Sequence, residues 1–260
     1  MSELRPFFSY FGGKFRAATR YPPPLHGTIV EPFAGSAGYA MRYPHLRVVL
    51  IEKNPAIAGI WSYLVRAEPT EILALPLLQP GESLDDVAGL TQPQRWLIGM
   101  WLSAGVTSPR KTLCSWQRFD GYSTDKQFWG VEIRRRIASQ VERIRHWQIL
   151  EGDFTGAPDM EATWFIDPPY VGMGTHYPCG SDAIDYAALA DWCRSRRGQV
   201  MVCEQAGAEW LPFSDFGRFK SNKANTSRSG APGRARSAEA LWTNDFPGAS
   251  VWCPPGMRFL

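Results

Sequence analysis

The chain reads as an α/β protein, a mostly parallel sheet covered on both faces by helices and interrupted by one basic, tryptophan-rich insert. Three observations predict this class. Short apolar or β-branched runs recur at residues 27–31, 47–52, 164–167 and 199–203, and the first three end in Glu31, Glu52 and Asp167. Helical patterns alternate with these runs, as in βαβ units with a parallel sheet. The chain is 260 residues long and 44% hydrophobic, enough for one large domain or a core with a modest insert.

Taken in order, Gly27-Thr28-Ile29-Val30-Glu31 and Arg47 to Glu52 are the first two strands, and Trp164 to Asp167 and Gln199 to Cys203 are two more. Between the last two, Ser181 to Arg197 reads as a helix. Asp182 and Asp185 stand at its start, Ile184, Leu189 and Trp192 supply apolar positions, and Arg194, Arg196 and Arg197 crowd its end. The rhythm breaks from about Gln92, where Trp96, Trp101, Trp116 and Trp129 accumulate among basic residues. That stretch closes with a predicted helix over Val131 to Trp147, whose Ile133, Ile137, Val141 and Ile144 recur at three and four. The expected organisation is therefore a first core part over 1–88, an insert over 89–148 and a second core part over 149–260, with a polar basic loop at 221–236.

Composition removes several classes. No apolar stretch approaches the roughly 18 residues of a spanning helix, and the first residues carry Glu3, Arg5 and Lys14 in place of a signal sequence, so a cytoplasmic protein is expected. The five cysteines are odd in number and never closer than ten positions, which fits a reducing compartment and no zinc cluster. The four histidines show no metal-ligand spacing, so no metal is expected. Charge is uneven: residues 105–148 hold nine Lys/Arg against four Asp/Glu, and residues 216–236 hold six against none. With a total of only +3, the rest of the chain is net −8. Two basic segments on an acidic body predict a polyanionic partner.

Two constellations carry chemistry. The first is Val30-Glu31-Pro32-Phe33-Ala34-Gly35-Ser36-Ala37-Gly38, where a strand is expected to turn into a helix and glycines admit close backbone approach to a nucleotide-like ligand. Glu52 follows at the end of the next strand, placed as a ribose-binding acid is placed in dinucleotide folds. The spacing G-x-x-G is not that of pyrophosphate binders, and Glu31 before the turn repels phosphate and welcomes a cation. A ligand with a ribose, an adenine and a positive charge fits better than a dinucleotide, and S-adenosylmethionine has those properties. The second constellation is Asp167-Pro168-Pro169-Tyr170 at the end of an apolar strand. Its prolines stiffen the turn, so Asp167 and the Pro168 carbonyl can both accept hydrogens from one amino group while Tyr170 offers a flat face to a base.

With Phe7-Phe8-Ser9-Tyr10-Phe11-Gly12-Gly13-Lys14 preceding both, the chain resembles the Dam-type adenine-specific DNA methyltransferases, with three motifs in the family's order over about three fifths of its length. The resemblance implies a Rossmann-like S-adenosylmethionine-dependent methyltransferase sheet with a small, mainly helical and loop-rich target-recognition insert. It implies methyl transfer to the exocyclic amine of a flipped adenine, with S-adenosylhomocysteine as product, no covalent intermediate and no metal. Carried over by motif, Tyr10 and Lys14 line the cofactor's methionine end, Phe33 and Gly35 form its loop, Glu52 meets the ribose, and Glu151-Gly152-Asp153-Phe154 supplies an acid for the adenine amine and a ring to pack on it. Glu31 and Asp167 complete the cofactor set, and Asp167, Pro168 and Tyr170 the catalytic set. The family usually has Asp where this chain has Glu52.

Target recognition is expected from Arg110, Lys111, Arg118 and Lys126 beside Trp116 and Tyr122, and phosphate contacts from Arg228, Arg234 and Arg236. Double-stranded DNA is the expected partner, for DNA modification alone or beside a restriction nuclease, and a monomer is expected with a dimer left open. Two alternatives stand beside this reading: an adenine methyltransferase acting on structured RNA, and a catalytically silent nucleic-acid-binding module. A nicotinamide-dependent oxidoreductase fails on the missing pyrophosphate fingerprint.

Overall fold

The computed structural model describes residues 3–103, 105–113, 128–172, 180–220 and 236–244. Among these residues seven strands form one sheet: β1 (Thr28–Glu31), β2 (Arg47–Glu52), β3 (Gln148–Glu151), β4 (Glu161–Ile166), β5 (Arg197–Gln205), β6 (Ser214–Lys220) and β7 (Arg236–Thr243). Their order is β3-β2-β1-β4-β5-β7-β6, parallel from β3 through β5, with β7 antiparallel to both β5 and β6. The expected α/β class with a mostly parallel sheet is observed, and the arrangement is compatible with a Rossmann-like fold. The strand order reverses between β1 and β4, the place where open α/β sheets bind ligands beyond their strand ends.

Alternation along the strands divides the core. Ile29, Val48, Leu50, Phe165, Met201 and Cys203 point to one face, where they pack with Phe7, Phe8, Tyr39 and Trp61. Val30, Val49, Ile51, Trp164, Ile166, Val200 and Val202 point to the other, under Leu189, Cys193 and Leu211. A parallel sheet buried on both faces accounts for the near-continuous apolar runs in its strands.

Among the described residues there are five α-helices: α1 (Pro55–Leu64), α2 (Pro69–Ala74), α3 (Gln92–Trp101), α4 (Val131–Ala138) and α5 (Tyr186–Arg194). Leu97, Ile98, Met100 and Trp101 of α3 and Ile133 and Ile137 of α4 lie in the same cluster as α1 and the N-terminal segment. The described part of residues 89–148 thus shares one core with the sheet.

Several expected elements differ in extent. The helix expected over Val131 to Trp147 stops at Ala138 and resumes as a 3-10 turn at Val141–Ile144. The break comes where Gln140 turns its amide to the N-terminal segment, accepting from Arg5 N at 2.6 Å and donating to the Arg5 carbonyl at 3.2 Å. The expected apolar face survives the break, since Ile133, Ile137, Val141 and Ile144 are all fully buried. The helix expected over Ser181 to Arg197 shortens to α5, because the Asp185 side chain caps it by accepting from Ala187 N and Ala188 N, each at 3.0 Å. Arg197 already belongs to β5. After β1 there is no α-helix, only a 3-10 turn at Ala40–Arg42, which Pro44 cuts short through the restriction it places on Tyr43. The edge strand β3 and the hairpin partners β6 and β7 were not anticipated. Of the basic loop expected at 221–236, Arg236 opens β7, and Arg228 and Arg234 lie outside the described residues.

Candidate active site

On the core face that carries the N-terminal segment, neighbouring strands bring a row of side chains to the C-terminal edge of the sheet. Glu52 ends β2, Glu31 ends β1, Asp167 follows β4, Cys203 is on β5 and Glu239 on β7. Four carboxylates therefore flank the point where strand order reverses. One buried cation enters the row among the described residues, Lys14, whose ammonium lies 2.8 Å from Asp167 Oδ1 and 3.8 Å from Glu239 Oε2.

The placement of Lys14 explains the glycines of both N-terminal motifs. A Cβ on Gly38 would stand 2.6 Å from Phe15 N and 2.8 Å from the Lys14 carbonyl carbon, and one on Gly13 would stand 2.6 Å from Ser36 Oγ. The Gly-Gly-Lys segment thus lies directly on the loop after β1, and Gly38 admits protein backbone where the sequence suggested a ligand. Gly35 adopts a positive φ of 44° under the Tyr10 ring, which a Cβ would meet at 3.1 Å. The same loop is clamped from three sides. Glu52 Oε2 accepts from Gly35 N at 2.9 Å, Trp61 Nε1 donates to the Gly35 carbonyl at 2.8 Å, and Ala34 N donates to the Ile51 carbonyl at 3.0 Å.

Each acid has its own electrostatic character. Glu31 is 2% exposed and accepts from Ala40 N at 2.6 Å; burial pushes its carboxyl up to about 8 against that hydrogen bond, and the nearby Asp167 adds to the rise. Glu52 holds Gly35 N with one oxygen and Asn54 N, at 2.8 Å, with the other, and burial raises it despite both bonds. The Lys53 backbone N–H is a third donor to this carboxylate, which has about four lone-pair sites in all. Asp167 is one-fifth exposed; burial raises its carboxyl, and Lys14 limits the rise. The Lys14 ammonium is the close partner of Oδ1. Burial opposes the charge on Lys14, but Asp167 and Glu239 outweigh it and hold the ammonium above its ordinary range.

The Asp-Pro-Pro-Tyr turn is held from outside. The Pro169 carbonyl accepts from Tyr186 OH, and Val171 N donates to Glu204 Oε2 at 3.4 Å, an oxygen that also takes Trp210 Nε1 at 2.9 Å. Among the described residues no donor occupies the Pro168 carbonyl. The Tyr170 hydroxyl donates to Glu239 Oε2, and the ring lies 4.7 Å under Lys14 Nζ. Glu239, Glu204 and Tyr186 were not singled out from the sequence. The faint signal for Glu239 is a lone acid alternating with small residues in Ser237-Ala238-Glu239-Ala240-Leu241.

Beyond β2 and β3, the Phe33 and Phe154 rings stack at 5.7 Å, with Trp192 edge-on to Phe154. Asp153 caps the 3-10 turn Phe154–Gly156, accepting from Thr155 N at 2.9 Å, and the Thr155 hydrogen bonds hold its carboxyl below the usual range. The structure thus gathers Tyr10, Lys14, Glu31, Phe33, Gly35, Glu52, Asp167, Pro168 and Tyr170 around one strand-edge region, with Asp153 and Phe154 at its flank. Of the expected recognition residues, Arg110 and Lys111 are exposed and follow Pro109, which packs on Gly99 of α3; Lys111 pairs with Asp85 at 2.7 Å. Arg118 and Lys126, with Trp116 and Tyr122, lie outside the described residues. Among the described residues no group of three His, Cys, Asp or Glu could hold a metal ion, and no helix is long and apolar enough to cross a membrane.

No protein-family model and no curated protein matches the chain.

Proposed function

We propose that the chain transfers a methyl group from S-adenosylmethionine to the exocyclic amine of adenine in DNA. The observation that carries this reading is the Asp167 carboxylate beside the Tyr170 ring at the strand-order reversal, with the Pro168 carbonyl unoccupied by any described donor. The acids at this edge support a cationic cofactor over a phosphate-bearing one, since like charges repel. Glu52 suits ribose hydroxyls, Phe33 and Phe154 suit an adenine, and Asp167 suits the cationic end, beside a Glu31 that burial keeps mostly protonated near neutral pH.

The cofactor supplies an electrophilic methyl on sulfonium. The rest falls to the chain's own groups. An aromatic amine has its lone pair delocalised into the ring, so two acceptors must draw its hydrogens out of plane and aim the nitrogen. Asp167 and the Pro168 carbonyl supply them, the raised carboxyl of Asp167 making it the stronger acceptor and the first stop for the proton that the methylated nitrogen sheds toward solvent, and Tyr170 stacks the base. A base within a duplex cannot reach such an edge, so it must leave the stack. Burial keeps the Cys203 thiol far above its ordinary range, which supports direct transfer over a covalent route.

Replacing Asp167 tests the assignment. Asp167→Asn is expected to lower transfer of labelled methyl to unmethylated DNA by about a hundredfold or more while keeping the melting curve. A variant that transfers at the native rate contradicts the role given to Asp167.

A further inference from the structure

We propose that Glu239, on the antiparallel strand β7, is a positioning residue of this site: its carboxylate fixes the Tyr170 ring and draws Lys14 partly away from Asp167. The inference rests on the methyl-transfer reading above. Glu239 is 7% exposed, accepts the Tyr170 hydroxyl and lies 3.8 Å from Lys14 Nζ, which stands over the same ring at 4.7 Å. Glu239, Tyr170, Lys14 and Asp167 thus form one connected set. β7 is held in register against β5, with Glu239 opposite Gln205 and Leu241 opposite Cys203, so the carboxylate is delivered by a strand, a more rigid support than a loop.

The physical need for Glu239 follows from Lys14. Alone with Asp167, a buried ammonium at 2.8 Å would take up the lone pairs the amine hydrogens require and weaken the carboxylate as an acceptor. A second carboxylate divides the ammonium's attention. It also anchors the phenol: Tyr170 is half-buried, desolvation holds its hydroxyl far above the ordinary range, and it stays a donor with Glu239 as its acceptor. Without that acceptor the ring loses its anchor on β7, and the hydroxyl turns to Asp167, its other acceptor in reach.

Among the described residues, the titratable groups facing Asp167 come from five places. Lys14 and Tyr21 come from the N-terminal segment, Glu31 from β1, Cys203 and Glu204 from β5, Glu239 from β7 and Tyr170 from its own turn. Lys14 is the one cation among them. The negative charge of Glu239 raises the Asp167 carboxyl, so removing that charge moves Asp167 down.

The test compares Glu239→Gln, Glu239→Ala, Tyr170→Phe and the Glu239→Ala/Tyr170→Phe pair in the full chain, reading labelled methyl transfer to unmethylated plasmid across pH together with melting temperature. Glu239→Gln, which keeps an acceptor for Tyr170 and loses the charge, is expected to lower kcat about tenfold with KM within about threefold, and to shift the acid limb of the rate profile to lower pH. Glu239→Ala is expected to raise KM as well. The melting-temperature losses of Glu239→Ala and Tyr170→Phe are expected to be less than additive in the pair. Additive losses overturn the contact, whether or not the chain methylates anything. Coupled losses with native kcat and an unmoved acid limb in Glu239→Gln overturn the kinetic role. A native chain that labels no nucleic acid while the coupling persists overturns the methyl-transfer reading and, with it, the role of Glu239 in it.

Discussion

Glu31, at the end of β1, carries the sharpest residue-scale prediction. Its carboxyl ordinarily titrates near 4.5 and is pushed up to about 8 in the fold. The folded chain therefore binds more protons than the unfolded chain between those values, so stability falls as pH rises through that window and the full loss is present above about 8. Glu31→Gln keeps an acceptor for Ala40 N and has no charge to bury. It is expected to melt above the native protein at about pH 8.5 and close to it at about pH 5, a difference on the order of a few kcal/mol. Differential scanning calorimetry at both pH values checks this, and a gap that does not change with pH contradicts it. Residues of this kind were legible where a motif surrounds them, as with Lys14, Asp167 and Tyr170. Glu239 was not, because it stands 72 positions beyond Asp167 among small residues, and only sheet pairing brings the two together.

The N-terminal segment and the loop after β1 work as one element, because Gly38 lets the Lys14 backbone lie on that loop. Gly38→Ala places a Cβ against backbone atoms that cannot rotate away. It is expected to cost about 1–3 kcal/mol and to displace Lys14, lowering both melting temperature and methyl transfer. Gly27→Ala, whose Cβ would meet nothing within 4 Å, is the matched control and is expected to be near neutral. Equal melting curves for the two variants would contradict the close approach. Elements were readable from sequence where periodicity was strong: β1, β2, β4 and β5, and the buried stripe of α4. The hairpin strands were not, because Asp215, Gly217, Arg218, Ser237, Ala238 and Glu239 are poor strand formers. Pairing of β7 against β5, and of β6 against β7, overrides their preference.

Across the whole molecule, α3 and α4 bury Trp101, Ile133 and Ile137 in the same cluster as Phe7 and Trp61. The chain is accordingly expected to unfold in urea as one transition, with tryptophan fluorescence and far-ultraviolet dichroism coincident. Separated transitions would contradict the shared core. Charge acts at this scale too: two basic segments on a body that is otherwise net −8 predict DNA affinity that falls steeply with salt, which a binding series in rising salt reads as a linear log–log slope. The central claim concerns chemistry at the strand-order reversal. Incubating the chain with labelled S-adenosylmethionine, unmethylated plasmid and total RNA, followed by nucleoside mass spectrometry, tests it most directly. The account predicts N-methylated adenine in the DNA. Label confined to RNA, or none in either pool, would contradict it.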